Sequence, residues 1–184
     1  MIQLESFTRF RKIDFLALAI LTVLWAVATT LINLPNTQLT FMLSLAITTI
    51  SVSFTALLIR KIGAVILFYF IGSIITISFN NLIQGYYKIL ILVIAGIIFE
   101  LIFLLSKKIY KYNIPFNLVL AAALSNASIP WIMLLFTYSK ELLPYTINFS
   151  LSALLIGVIS SLITYLIWYN IKSNKTIIKF EYSV

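Results

Sequence analysis

The chain has 184 residues, of which 62% are hydrophobic and only 10% charged, a balance outside that of soluble globular domains. Its formal charge of +8 is carried by basic residues that flank apolar runs instead of forming one patch. That argues against nucleic acid and for topology signals at a lipid surface. Cysteine and histidine are both absent, which excludes disulfides, thiol nucleophiles, imidazole bases and the usual zinc, iron and copper ligand sets. No metal, cofactor or enzymatic activity is expected.

Six apolar runs follow in order, at about 15–34, 39–59, 62–79, 89–105, 116–138 and 146–169. Each is continuously apolar and too long for the alternating strands of a barrel. The expected fold is therefore all-α: a polytopic membrane protein of six transmembrane helices in a single domain, 1–184. The first run begins after a basic stretch, and Ala26-Val27-Ala28 resembles a signal-peptide cleavage site. The run continues through Ile32, so a retained span is expected. Pro35-Asn36 closes it, and Arg60-Lys61 separates the second and third runs so tightly that antiparallel neighbours follow. The loop Asn80–Tyr87 is polar yet nearly uncharged. Pro115 opens the fifth run, and a basic tail follows the sixth.

The charges orient the bundle. Arg9, Arg11, Lys12, Arg60, Lys61, Lys107, Lys108, Lys111, Lys172, Lys175 and Lys179 fall to one side, whereas Lys88 and Lys140 fall to the other. The positive-inside rule places both termini in the cytoplasm of a cell whose plasma membrane holds the chain. Tyr110, Tyr112, Trp168 and Tyr169 form one aromatic belt, and Tyr86, Tyr87, Tyr138 and Tyr145 the other. No internal repeat supports an inverted-repeat transporter.

Few residues carry chemistry. Glu100 is an ionisable residue within the fourth run, about 8 Å from its inner end, where burying a charge costs about 2.5–3.5 kcal/mol. It reads either as a proton-coupled or gating carboxylate, or as a packing group that reaches Arg60 or Lys107. The fifth run holds Ser125-Asn126-Ala127-Ser128-Ile129-Pro130-Trp131, where Pro130 frees the carbonyl of Asn126. That segment reads as a cavity lining or as a kink repaired by its own polar groups.

A second cluster gathers at the outer face: Asn33, Thr37 and Gln38 with Asn80, Asn81 and Gln84. Tyr145 and Asn148 enter from the sixth run, and Trp131 and Tyr138 from the fifth. Aromatic walls with neutral amides suit a small heteroaromatic ligand, although outer loops are polar and interfacial tyrosines anchor helices without one. Asn148-Phe149-Ser150 also fits a glycosylation acceptor. Thr22, Ala26 and Thr30 recur every four positions, a small-residue stripe for packing or for docking a partner subunit, and Gly63, Gly72, Gly96 and Gly157 permit close contacts.

Six spans, termini inside and no catalytic residues together resemble the substrate-binding S components of energy-coupling factor vitamin transporters. The run Ile94-Ala95-Gly96-Ile97-Ile98-Phe99-Glu100-Leu101-Ile102-Phe103 looks like the fourth helix of thiamine-precursor-type members. The resemblance implies a vitamin pocket near the outer face, with Pro35-Asn36-Thr37-Gln38 as its cap. It also implies docking of the first helix on a transmembrane coupling protein driven by paired ATPase subunits. The family's Ala-x-x-x-Ala docking pair is absent from the first run, where Thr22-x-x-x-Ala26 stands at similar spacing. The expected function is thus substrate binding for uptake of a small vitamin or precursor. The alternatives are a structural subunit of a larger membrane complex and, with little to support it, a lipid-acting enzyme.

Overall fold

Long apolar runs leave the backbone no partner but itself, and helices follow from that necessity. The computed structural model describes residues 9–33, 37–77, 86–109, 113–137 and 143–172. These form six helices: α1 (Lys12–Asn33), α2 (Gln38–Ile59), α3 (Ala64–Ile75), α4 (Tyr86–Ile109), α5 (Ile114–Thr137) and α6 (Leu143–Ile171). There is no β-strand among the described residues. All but α3 are long and apolar enough to cross a membrane. The third differs from its predicted run: it has 12 residues, or about 18 Å at 1.5 Å per residue, short of the roughly 30 Å of a hydrocarbon core. Residues 78 and 79 of that run lie outside the described residues.

Local chemistry sets several helix ends. Thr37 and Thr40 form a reciprocal capping box at the start of α2, with Thr37 N donating to Thr40 Oγ1 at 2.9 Å. Asp14 does half of this for α1, accepting from Arg11 N at 2.7 Å. The Asn113 side chain accepts from Phe116 N at the head of α5. Between α2 and α3 the chain reverses within Arg60–Gly63 through two left-handed residues, Arg60 (φ 51°) and Gly63 (φ 91°). At Gly63 a Cβ would strain the backbone, so glycine is required for the turn.

The packing is inverted relative to a water-soluble bundle. On α6 the buried residues are Thr146, Ala153, Gly157, Ser160, Ser161, Thr164 and Trp168, whereas Leu151, Leu155, Ile159 and Leu166 are exposed. Small and hydroxyl side chains let helices approach, and large apolar ones face outward, as a bilayer demands. Many buried hydroxyls bond the carbonyl four residues back on their own helix, including Thr48, Thr49, Thr55 and Thr164. Thr22 does the same to Leu18. They therefore carry little desolvation penalty.

Helix α6 packs along α5 and α2, α4 along α5, and α3 against α4 and α1. The main core joins Trp25, Val52, Phe68, Tyr69, Phe99 and Leu118, and a second cluster joins Phe41, Leu45, Ile91 and Ile129. Helices α5 and α6 approach backbone to backbone at Gly157, where a Cβ would stand 2.7 Å from Ala123 Cα. Backbone cannot yield there as a flexible side chain can. Gly157→Leu should therefore lower stability by roughly 1–3 kcal/mol, read as a lower unfolding midpoint in micelles. An unchanged midpoint would show that α5 and α6 do not touch at this point.

Candidate functional site

Two regions on α4 hold buried charge, one toward each end of α3, named inner (Glu100) and outer (Lys88) after the orientation expected from the sequence. At the inner one, Glu100 is 9% exposed and turns toward the first turn of α3. Its carboxylate accepts from Gly63 N and Val65 N at 2.8 Å each and from Ile66 N at 3.3 Å. These are the orphan amides of a helix N-terminus, where the macrodipole also favours negative charge. The carboxylate is thus a cap borrowed from a neighbouring helix. Of its two predicted basic partners, Arg60 instead donates Nε to Leu57 O at 3.0 Å and lies over the Trp168 ring. Beside it, Lys61 ties the same turn to α1, donating to Asp14 Oδ2 at 2.5 Å and Arg9 O at 2.7 Å. Arg11 completes the cluster 3.6 Å from the other Asp14 oxygen.

The outer region is built around Lys88, which is only 3% exposed. Its ammonium donates to the carbonyl of Thr76 at 2.5 Å, and Thr76 is the C-cap of α3. Lys88 and Glu100 stand twelve positions apart on α4, about 18 Å, which matches the length of α3. One antiparallel helix therefore caps both ends of the other, with the sign each end prefers.

Next to Lys88 a cavity of about 50 Å³ opens between α1, α2, α4 and α5. Trp25, Phe41, Leu45, Leu92 and Ile129 form its apolar wall, and Thr29, Ser44, Thr48 and Lys88 its polar one. Trp25 Nε1 donates to Thr48 Oγ1 at 2.8 Å, which fixes the indole. Asn33 Nδ2 donates to Ser44 Oγ at 2.9 Å, while Asn33 Oδ1 is buried and meets no partner among the described residues. The volume admits a few waters or one small polar group.

The predicted site residues distribute unevenly around this cavity. Asn33 stands behind its polar wall through Ser44. Asn126 is buried but donates to Thr49 Oγ1 at 2.6 Å, joining α5 to α2 without lining the cavity. Ser125 likewise bonds Ala95 O of α4, and Ser150 of α6 bonds Ala127 O near Pro130. The polar segment of α5 thus stitches three helices to a continuous fifth one. Trp131 is 42% exposed and donates to Ser150 Oγ at 3.2 Å, facing outward. Gln38, Tyr145 and Asn148 are exposed, and Asn80, Asn81, Gln84, Tyr138 and Pro35-Asn36 lie outside the described residues. The stripe read for partner docking points inward: Thr22 and Ala26 are buried, Thr22 against Gly72 of α3, and Thr30 is half-buried.

Sequence reasoning missed Trp25, Thr29, Phe41, Ser44, Thr48 and Lys88. The available signal was a lysine inside the outer flank of the fourth run, counted only as a topology mark.

The capping role of Glu100 has a measurable consequence. Glu100→Leu strands three amides and should cost roughly 3 kcal/mol, whereas Glu100→Gln keeps one acceptor and should cost about half that. Unfolding midpoints in bicelles give the order, and equal loss in the two variants would dispose of the cap. No protein-family model, curated protein or solved structure matches this chain, so the reading of its site rests on geometry alone.

Proposed function

We propose that this chain is the substrate-binding subunit of an uptake transporter in the cell membrane, taking a small vitamin or vitamin precursor from the outer face. In this reading the chain crosses the bilayer six times, with α3 covering only part of the third crossing, and both termini lie in the cytoplasm. The observation that carries it is the cavity beside Lys88, set in the half of the bundle where α1 ends and α2 and α4 begin. A buried indole and a phenyl ring facing three hydroxyls and an ammonium are the materials of ligand recognition. At about 50 Å³ the cavity is smaller than a whole ligand's pocket, so binding requires the surrounding helices to part.

Energy has to come from partners. The five glycines of the chain are scattered and make no phosphate-cradling loop. A transmembrane coupling protein with ATPase subunits, as in the energy-coupling factor family, would meet that need. Its contact surface on α1 is then the apolar face of Leu16, Ile20, Val23 and Leu31, because Thr22 and Ala26 are buried. A structural subunit without a ligand is the second reading, favoured by how nearly the bundle is filled.

Two measurements test the proposal. The chain lacks cysteine, so single-cysteine variants report topology directly. Tyr87→Cys should react with an impermeant maleimide in intact cells and Lys108→Cys only after lysis; the reverse pattern would invert the bundle. Native mass spectrometry of the gently extracted protein should show one stoichiometric small-molecule adduct. A bare chain still attached to other membrane subunits would favour the structural role instead.

A further inference from the structure

We infer that the solute taken by this cavity carries a carboxylate, which seats on the Lys88 ammonium. The inference rests on the substrate-binding reading above and narrows the class of substrate.

An ammonium has three N–H donors and no acceptor. Thr76 O takes one of them, and no other acceptor meets the Lys88 ammonium among the described residues. No carboxylate there neutralises it either: Asp14 is held by Lys61, and Glu100 is bound to the amides of α3. A nearly fully buried cation without a counter-ion is costly, and an anion brought by the ligand removes that cost. The second donor is Ser44, whose hydroxyl receives from Asn33 Nδ2 but gives its own proton to no acceptor among the described residues. Both side chains line the same cavity. An acceptor-only group with two oxygens fits a pair of donors facing one space.

The wall discriminates among anions. It presents one cation, no guanidinium and no turn of free backbone amides, so the second charge of a phosphate dianion has no partner. Trp25, Phe41, Leu92 and Ile129 offer the remaining surface to an apolar or aromatic body. A permanently cationic solute is repelled by Lys88. A monocarboxylate on a small apolar or aromatic frame satisfies every group on the wall.

The test uses the full-length protein in nanodiscs and calorimetric titration with propionate, benzoate and nicotinate against their neutral amides. At least one acid should bind at least tenfold more tightly than its matched amide. Lys88→Met should bring that ratio close to one, and Lys88→Arg should restore part of it. Because Lys88 also caps α3, the acid-to-amide comparison on the unaltered protein stands even where Lys88→Met does not fold. An acid-to-amide ratio near one, or a ratio unchanged in a folded Lys88→Met variant, overturns the inference. If native mass spectrometry still finds a neutral adduct in that case, the substrate-binding reading survives alone. Absence of both an adduct and any binding of the acids sinks the two together.

Discussion

A helix of 12 residues that ends inside an apolar bundle leaves amides at one end and carbonyls at the other without solvent. Much else in this protein depends on how α3 meets that constraint. It does so by lying antiparallel to α4, which supplies Glu100 to the amides and Lys88 to the carbonyl of Thr76. Neither charge is tolerable alone in such surroundings, and neither helix end is. Paired, each offsets the other's cost, and the spacing of the two charges fixes the register of α3 along α4. Gly96 then lets the pair close, since a Cβ there would run into Tyr69.

The inner cap also explains the tight turn from α2. Gly63 and Val65 must both direct their amides at one carboxylate, which forces the left-handed backbone at Gly63. Lys61, displaced to the side, reaches Asp14 of α1 and brings that helix onto the same corner. Four helices are thereby tied at the inner end by polar contacts of few residues. At the outer end Lys88 joins α4 to Thr76 of α3 and Asn33 joins α1 to Ser44 of α2, and the space left beside them is the cavity. The asymmetry between a crowded inner corner and an open outer one follows from where the acids lie in the sequence.

How much of this was legible beforehand depends on the kind of information involved. Helix type and order follow from unbroken apolar length, and Pro35-Asn36, Pro115 and the Arg60-Lys61 break marked boundaries locally. The end of α3 was not legible, because Ile62–Phe79 is continuously apolar and hydrophobicity does not say where hydrogen bonding stops. Glu100 stood out by its charge, yet its partners are backbone amides on another helix, which no side-chain inventory reveals. Trp131 and Asn126 drew attention through Pro130, but a kink-prone segment reports the needs of its own backbone. Here Ser150 donates to the carbonyl of Ala127 and Thr49 accepts from the side-chain amide of Asn126, so these polar residues close contacts between helices. Trp25 went unread because a lone indole in an apolar run gives no sign of which face it occupies.

On the substrate-binding reading, the outer end of the bundle would join stability to recognition through one side chain. Lys88 neutralises the carbonyl end of α3 with one N–H, and its remaining donors border the cavity. An anion arriving there draws on the same ammonium that holds Thr76, so it cannot bind without altering the force on the end of α3. Among the described residues α4 gives that end one polar tie, against the three amide contacts at the Glu100 end. On that reading the cavity enlarges to admit a solute, and the helix end nearest to it would be the place for the bundle to yield. The Glu100 corner, with three amide contacts, would then supply the fixed point against which α3 shifts.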